Sequence, residues 1–491
     1  MKVNEYVVPT NLLKDYVNDE ANAAQNKMEQ AKRTEIISAV FKNAGIDVEI
    51  DDIKCGPTFS VFELSITKPV QVKKIHSCCE DLNLWLNARE RIRILAPIPG
   101  TVKIGIEVPN STFEIVGLKG LIESDEFKNA KQTSLSFCAG VDVYGKPVVL
   151  DIDRMPHLLA AGATGTGKSV FINSMLISLM FKYSPEELRF ILVDPKIVEF
   201  CVYKGMPHLL FDEILTEYPR ICSMFDWLIQ EMNERYKTIA ASGNVNINQY
   251  NAYAEENNLK KLPKLLLVID EFADLVHSSK SRREIEEKIH LLTAKSRAAG
   301  IHIIITTQRP GFDTWSPAIA TNFPTRVAFK LSSLADSMAV IGESGAEALI
   351  GYGDLLYRTM PMINTARAQG CFVDTCEINS VCNYLKANFP CDYNEKALEA
   401  INAKIAGANE EEDIFAGIDK ELIKKAMRYA IPSNTISISM LQRKLGIGFP
   451  KAGKLLDALV EMGYVSEIVN GTFREILMTK EEFEKIFGEP L

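Results

Sequence analysis

The stretch "GATGTGKS", Gly162 to Ser169, constrains this 491-residue chain more than any other eight residues do. It fits the pattern G-x-x-x-x-G-K-[ST], in which small residues let consecutive backbone N–H groups close around phosphate oxygens. Gly162, Ala163, Thr164, Gly165, Thr166 and Gly167 would form that cradle. Lys168 would reach the β- and γ-phosphates, and the Ser169 hydroxyl would bind Mg2+. Such a loop works only between a strand and a helix. The flanks supply both: "PHLLAAG" (Pro156 to Gly162) is apolar throughout, and "SVFINSMLISLMFKY" continues with helical character. The start of that helix adds partial positive charge beneath the phosphates.

Further apolar runs complete the pattern. "FILVD" (Phe190 to Asp194), "LLLVID" (Leu265 to Asp270) and "IHIIITTQ" (Ile301 to Gln308) are short and uninterrupted. Runs of this kind are buried on both faces, which predicts a parallel sheet in an α/β domain. The second ends in two adjacent carboxylates. Asp270 at the strand tip can hold the Mg2+ shell, and Glu271 can orient and deprotonate an attacking water. The third delivers Gln308 to the strand tips, where an α/β sheet binds ligand and an amide can sense a γ-phosphate.

The remainder of the chain divides by pattern. Residues 21–44 are Ala-, Lys- and Gln-rich with helical spacing and lead into alternating strands, "TFSVFELSI" (Thr58 to Ile66) and "VKIGIEVP" (Val102 to Pro109). "AKIAGANEEED" (Ala403 to Asp413) loses apolar periodicity and gathers acid, as a linker would. The resulting division is 1–30 as an N-terminal extension, 31–130 as an α+β domain, 131–400 as the α/β domain that holds the phosphate loop, 401–414 as an acidic linker and 415–491 as a tail domain. The net charge of -9 argues against a protein coated with nucleic-acid-binding charge, but leaves room for a local basic patch. Ten cysteines without a C-x-x-C pair read as reduced cytosolic thiols. The N-terminal stretch lacks the form of a secretory signal, and no apolar run reaches the length of a membrane helix, so a cytoplasmic protein without membrane insertion is expected.

The tail holds that basic patch. Leu422 to Leu456 contains Lys424, Lys425, Arg428, Arg443, Lys444, Lys451 and Lys454 and no acid. "SISMLQRKL", "GIG" and "FPKAGKLLDALVEMG" read as helix, turn and helix, with Pro450 in the first turn of the second helix. "YVSEIVNGTFREIL" reads as two strands about an Asn470-Gly471 turn, the wing of a winged helix. The second helix of such a unit enters the major groove N-terminal end first. Lys451 and Lys454 share one of its faces, where they can reach guanine acceptors or phosphates.

The motifs "MPHLLAAGATGTGKSVFIN", "FILVDPKIVEF", "VYKGMPHLL", "VIDEFADL", "KSRAAGIHIIITTQRP", "NFPTRVAF" and "GYGDLLY" resemble, in order, the FtsK/SpoIIIE family of hexameric ATP-driven double-stranded DNA translocases. "CGPTFSVFELSI" and "IPGTVKIGIEVPN" resemble the domain preceding the family's motor, and the tail resembles its winged helix. The resemblance implies a P-loop, RecA-like ATPase with an N-terminal α+β domain and a C-terminal winged helix-turn-helix. It implies ATP and Mg2+ as cofactors, duplex DNA as partner and a homo-oligomer, a hexamer in the family. It also implies that each site is completed by an arginine from the next subunit. Arg297 in "KSRAAGIH" matches that finger, Arg326 in "PTRVAF" is a second basic candidate, and an arginine so supplied is worth about 10³-fold or more in rate.

Two departures accompany the match. Ala320 and Leu334 stand where the family's channel has lysines, leaving Arg309, with Lys330 near it in sequence, for DNA grip; and the membrane anchor of many members has no counterpart. Pro450 replaces a familiar Asn in the recognition helix, which points to a different target sequence or weaker discrimination. Two other readings stay open: a DNA-bound regulator using nucleotide as an assembly switch, against which Glu271 and Arg297 count, and a mobile-element pump passing DNA through a pore made by membrane partners.

Overall fold

A computed structural model describes residues 6–16, 20–87, 92–98, 100–276, 279–311, 321–360, 362, 365–412, 420–466, 474–487 and 489–491. The chain divides into two compact units, Met1–Glu399 and Ala400–Leu491. Within the first unit, β1 (Val48–Cys55), β2 (Phe59–Ile66), β3 (Arg93–Leu95) and β4 (Ile104–Pro109) form an antiparallel sheet in the order β1-β2-β4-β3. The helix Glu20–Asn43 covers it because Ile37, Val40 and Phe41, at helical spacing, meet Phe62, Leu64 and Ile106 in one buried cluster.

The second sheet has nine strands: β5 (Ser136–Asp142), β6 (Pro147–Asp151), β7 (His157–Ala161), β8 (Leu188–Val193), β9 (Lys264–Ile269), β10 (Ile301–Thr307), β11 (Thr325–Ala328), β12 (Asp354–Arg358) and β13 (Ala366–Gly370). Their order is β6-β5-β13-β12-β11-β7-β10-β9-β8. The predicted parallel sheet is present from β11 to β8, where every pairing is parallel. Beyond β11 the sheet continues antiparallel, a half that the apolar-run criterion does not detect. Every residue of β7, β8, β9 and β10 is buried, β7, β9 and β10 as interior parallel strands and β8, the last in the order, with bridges from Leu209 and Leu215 along its free edge. β7 sits in the middle of the sheet, so the loop that leaves its tip is flanked by the tips of β10 and β11.

The described part of the N-terminal extension is seated on the motor. Val8 and Leu13 join the motor's apolar core. Tyr16 donates to Glu377 Oε2 at 2.8 Å, and Glu377 also closes the capping box of the helix Thr375–Asn388 with Asp374. The acidic run read as a linker is helical as far as Glu412, in the helix Glu395–Glu412, because Ala and Glu are strong helix formers.

The second unit holds the helices Lys420–Ser433, Ile438–Leu445 and Phe449–Glu461 around Met427, Leu441, Leu455 and Leu459. Gly446, in the left-handed region at φ 66°, ends the middle helix. Antiparallel bridges Ile436–Arg474 and Val465–Ile476 form the base of a wing. The Asn470-Gly471 turn lies outside the described residues, as does Ala320. Among the described residues no helix is long and apolar enough to cross a membrane.

Candidate nucleotide site and nucleic-acid surface

The loop 162–167 joins β7 to the helix Lys168–Lys182. Gly167 adopts φ 111°, and a Cβ there would stand 2.7 Å from the Cα and N of Gly353, so only glycine fits between the loop and that strand end. Gly353 N donates to Thr166 O at 2.9 Å, which clamps the cradle from the β12 side.

The polar residues converge below it. Lys168, 4% exposed, donates from Nζ to Asp270 Oδ1 at 2.8 Å and to Thr306 Oγ1 at 2.9 Å, and Thr306 itself donates to Asp270 Oδ1 at 2.7 Å. Glu271 is buried and left-handed at φ 49°, a conformation that costs a non-glycine residue about 1–2 kcal/mol. It is held there by Thr307, which donates to Oε1 at 2.7 Å, and by Gln308 N, 3.0 Å from Oε2. Gln308 reaches the loop itself: its Oε1 accepts from Thr164 Oγ1 at 2.7 Å. Ser169 donates to Glu199 Oε1 at 2.7 Å.

Lys168, Ser169, Asp270, Glu271 and Gln308 are therefore brought together at the tips of β7, β9 and β10. Three partners had no role in the sequence reading. Glu199 follows β8, and its loop is folded by Asp194, whose Oδ2 accepts from the N–H groups of Val198, Glu199 and Phe200 at 2.9 to 3.1 Å. The carboxylate one turn past the strand end in "DPKIVEF" was the available signal. Thr306 and Thr307 carry one: paired hydroxyls ending an otherwise apolar strand need buried partners.

The loop opens onto a cavity of about 510 Å³, within the usual range for a bound small molecule. Its far wall is Thr58 with Phe113, Glu114, Ile115 and Val116, from the segment after β4, and Tyr352 closes one side. Burial raises the Glu114 carboxyl above its ordinary value. The dimensions and the basic, glycine-rich floor suit a nucleoside triphosphate.

Arg297 and Arg326 do not join this group. Neither lines the cavity. Arg326, in β11 opposite Leu159, donates to the carbonyls of Phe323 and Val340 at 3.2 and 3.1 Å, and burial with Arg358 nearby lowers its pKa. Arg297 lies in the short helix Ser296–Ala299 before β10, at the opposite end of that strand from Gln308. Arg309 and Leu334 are exposed.

In the second unit the basic run is narrower than the sequence suggests. Lys424 pairs with Glu421 and Glu489, and Arg428 with Glu489. Arg443, Lys444, Lys451 and Lys454 are exposed and make no ion pair with a described residue, and Lys444 lies over the Tyr429 ring at 5.3 Å. Lys451 and Lys454 occupy the first two turns of the helix Phe449–Glu461.

Comparison with known proteins agrees with this architecture. A family model described as FtsK/SpoIIIE family matches residues 118–312, one described as FtsK alpha domain matches residues 8–110, and one described as Ftsk gamma domain matches residues 418–479. The chain is 39% identical over 480 residues to a protein named DNA translocase FtsK from Caldanaerobacter subterraneus subsp. tengcongensis, covering 97% of this chain and 65% of that protein. It spans 59% and 60% of the same-named proteins of Clostridium acetobutylicum and Clostridium tetani, so it falls short of two thirds of these relatives' length. Against the DNA translocase FtsK of Haemophilus influenzae it is 35% identical over 500 residues, covering 96% of this chain and 92% of that protein. Among solved structures, the cytoplasmic domain of the Type VII secretion ATPase EccC of Thermomonospora curvata aligns with a TM-score of 0.50 at 25% identity, over 57% of this chain and 35% of that one. With a P-loop motor, its preceding domain and a winged-helix tail all matched in order, the chain belongs to the FtsK/SpoIIIE family.

Proposed function

We propose that this chain is an ATP-driven translocase of double-stranded DNA, acting as a hexameric ring whose winged helix guides loading or direction. The observation that carries this reading is the linked cluster Lys168–Asp270–Thr306 and Glu271–Thr307–Gln308 at the strand tips, in a chain related over most of its length to proteins named DNA translocases.

Incoming phosphates compete with Asp270 for the Lys168 ammonium, so binding rearranges the cluster rather than filling a rigid mould. The γ-phosphate also competes with Gln308 Oε1 for the Thr164 hydroxyl and so frees Gln308, whose backbone N–H is bonded to Glu271; the state of the nucleotide is thereby passed to the general base. Glu271 orients the attacking water and takes its proton. Ser169 and Asp270 are oxygen donors beside the phosphate loop, which suits Mg2+, a small hard cation held by few protein oxygens together with phosphates and water. When bound there it neutralises charge on the β- and γ-phosphates. Arg297 is too far from its own loop to assist, and serves the site of a neighbouring subunit, making hydrolysis depend on ring assembly.

Triplex displacement tests movement directly. Purified protein with ATP should strip a third strand from a long duplex, and ATP turnover should rise with duplex length. Turnover indifferent to DNA, with the triplex left in place, would reject the proposal.

A further inference from the structure

At about 3.3 Å per residue, the seven-residue strand β10 separates Arg297 from Gln308 by roughly 20 Å, well beyond the reach of an arginine side chain. Arg297 instead lines a second cavity of about 660 Å³, whose wall also carries Lys131, Arg154 and Lys295. Asp151 and Asp153 share that wall, and Arg154 pairs with Asp151 at 3.5 Å. The Arg297 guanidinium is fixed by one bond: its Nε donates to the backbone carbonyl of Asp153 at 3.2 Å. No other hydrogen bond or ion pair to a described residue engages it.

The place of that carbonyl depends on the Asp153 side chain, which is held by bonds from two elements and faced by a third. Lys264, at the start of β9, pairs with Oδ2. Asn248, in the helix Ile247–Glu256, donates to the same oxygen at 3.1 Å. His302 of β10 donates from Nδ1 to Pro156 O at 3.1 Å, and its Nε2, without a hydrogen-bond partner among the described residues, stands 3.1 Å from Oδ1. The side chains of His302, Lys264 and Asp153 are 0%, 7% and 16% exposed. Burial alone would raise the Asp153 carboxyl; His302 and Lys264 hold it well below the ordinary carboxylate range instead. A buried charge network is a costly way to stabilise a sheet end, since its desolvation offsets much of the attraction, but it does select one geometry for the groups it holds.

We propose that Asp153, fixed by Lys264 and Asn248, is a positioning residue that presents Arg297 to the triphosphate bound by a second copy of this chain. The inference rests on the cross-subunit role assigned to Arg297 above. Asp153 itself touches no reacting atom; it sets where the guanidinium stands, and displacement by about 1 Å is enough to lose much of a catalytic contact.

The test separates donor from acceptor. Asp153→Asn and Lys264→Met are expected to lower ATP turnover by about tenfold with ATP affinity unchanged, and Lys264→Arg to restore most of it. Lys168→Ala subunits, inactive alone, still carry an intact Arg297. Added in excess to Asp153→Asn protein, they should raise the turnover per Asp153→Asn subunit. Arg297→Ala mixed in the same way is the reference. If Lys168→Ala does not rescue Arg297→Ala, the cross-subunit reading itself fails. If it rescues Arg297→Ala but not Asp153→Asn, or if Asp153→Asn turns over like the wild type or loses ATP affinity, the positioning role is overturned. Should Asp153→Asn fail to fold, Lys264→Met carries the same expectations in the same mixtures.

Discussion

At the scale of single residues, Glu271 combines backbone strain with a buried carboxylate, and structures maintain such combinations where surrounding bonds over-determine them. Thr307, the last residue of the strand that also carries Thr306 to Asp270, and Gln308 directly after it provide those bonds. Glu271→Gln retains the shape and an acceptor for Thr307 while removing the base. It should bind ATP like the wild type and release phosphate at least about 100-fold more slowly. Equilibrium binding of a fluorescent ATP analogue beside steady-state phosphate release checks both halves, and an unaltered rate removes Glu271 from the role. That Lys168, Ser169, Asp270 and Glu271 stand together was legible in the sequence because a glycine loop after one apolar run and an acid pair after another place them at neighbouring strand tips. Glu199 and Thr306 were not, because their roles come from strand order: β8, β9 and β10 are far apart in the chain and adjacent in the sheet.

At the scale of elements, the parallel half of the sheet was legible because strands buried on both faces must be apolar throughout. The antiparallel half was not, and β13 shows why: "ARAQG" places an arginine in a strand, which reads as solvent-facing. Arg367 is in fact buried, with Nη2 on Asp354 Oδ2 at 2.7 Å, Nη1 on Glu107 Oε2 at 2.5 Å and its guanidinium over the Phe59 ring at 4.2 Å. Burial opposes its charge, but the two carboxylates raise its pKa above the ordinary guanidinium value. Glu107 lies in β4 and Asp354 in β12, so this one side chain joins the two sheets. Removing it strands two buried acids, and Arg367→Met is expected to destabilise the first unit by about 3–5 kcal/mol, measured by denaturant unfolding. A second effect should appear with pH. His157 in β7 and His208 are buried and neutral, and burial lowers their pKa values to about 3 and about 4, with His302 and Arg297 near the first and Arg189 near the second. A group more easily protonated in the unfolded chain stabilises the fold fully above the unfolded value near 6.5 and loses that contribution as pH falls. Between pH 7.5 and 5 each histidine should subtract about 2 kcal/mol from the unfolding free energy. Unfolding curves across that range, with His208→Phe flattening the slope, check the assignment.

At the scale of the whole molecule, the division at Glu399 and Ala400 separates the nucleotide cluster from the winged-helix unit. The motor contains every group of the nucleotide cluster, and the second unit has its own apolar core. Removal of residues after about 410 should therefore leave DNA-stimulated ATP turnover and abolish any preference for where on the duplex the protein loads. On the proposed function, the force with which the second unit would hold DNA follows from its charges. Of the seven basic residues between Leu422 and Leu456, Lys424 and Arg428 are already engaged by acids, so the count available to phosphates is smaller than the composition implies. If Arg443, Lys444, Lys451 and Lys454 each displace one counterion, log K should fall against log salt with a slope of about -3.6, or roughly 100-fold between 50 and 200 mM. Titration of the isolated residues 415–491 with a labelled duplex measures this directly. A slope near zero would mean that these lysines and arginines meet something other than a phosphate backbone, and would turn the tail from a reader of DNA into a docking module for a protein. A single substitution, Lys451→Ala, then sorts the contacts within the slope: loss of about one unit of slope at every sequence marks a phosphate contact, whereas a cost of about 1–3 kcal/mol confined to sites with one particular base pair marks a contact in the groove.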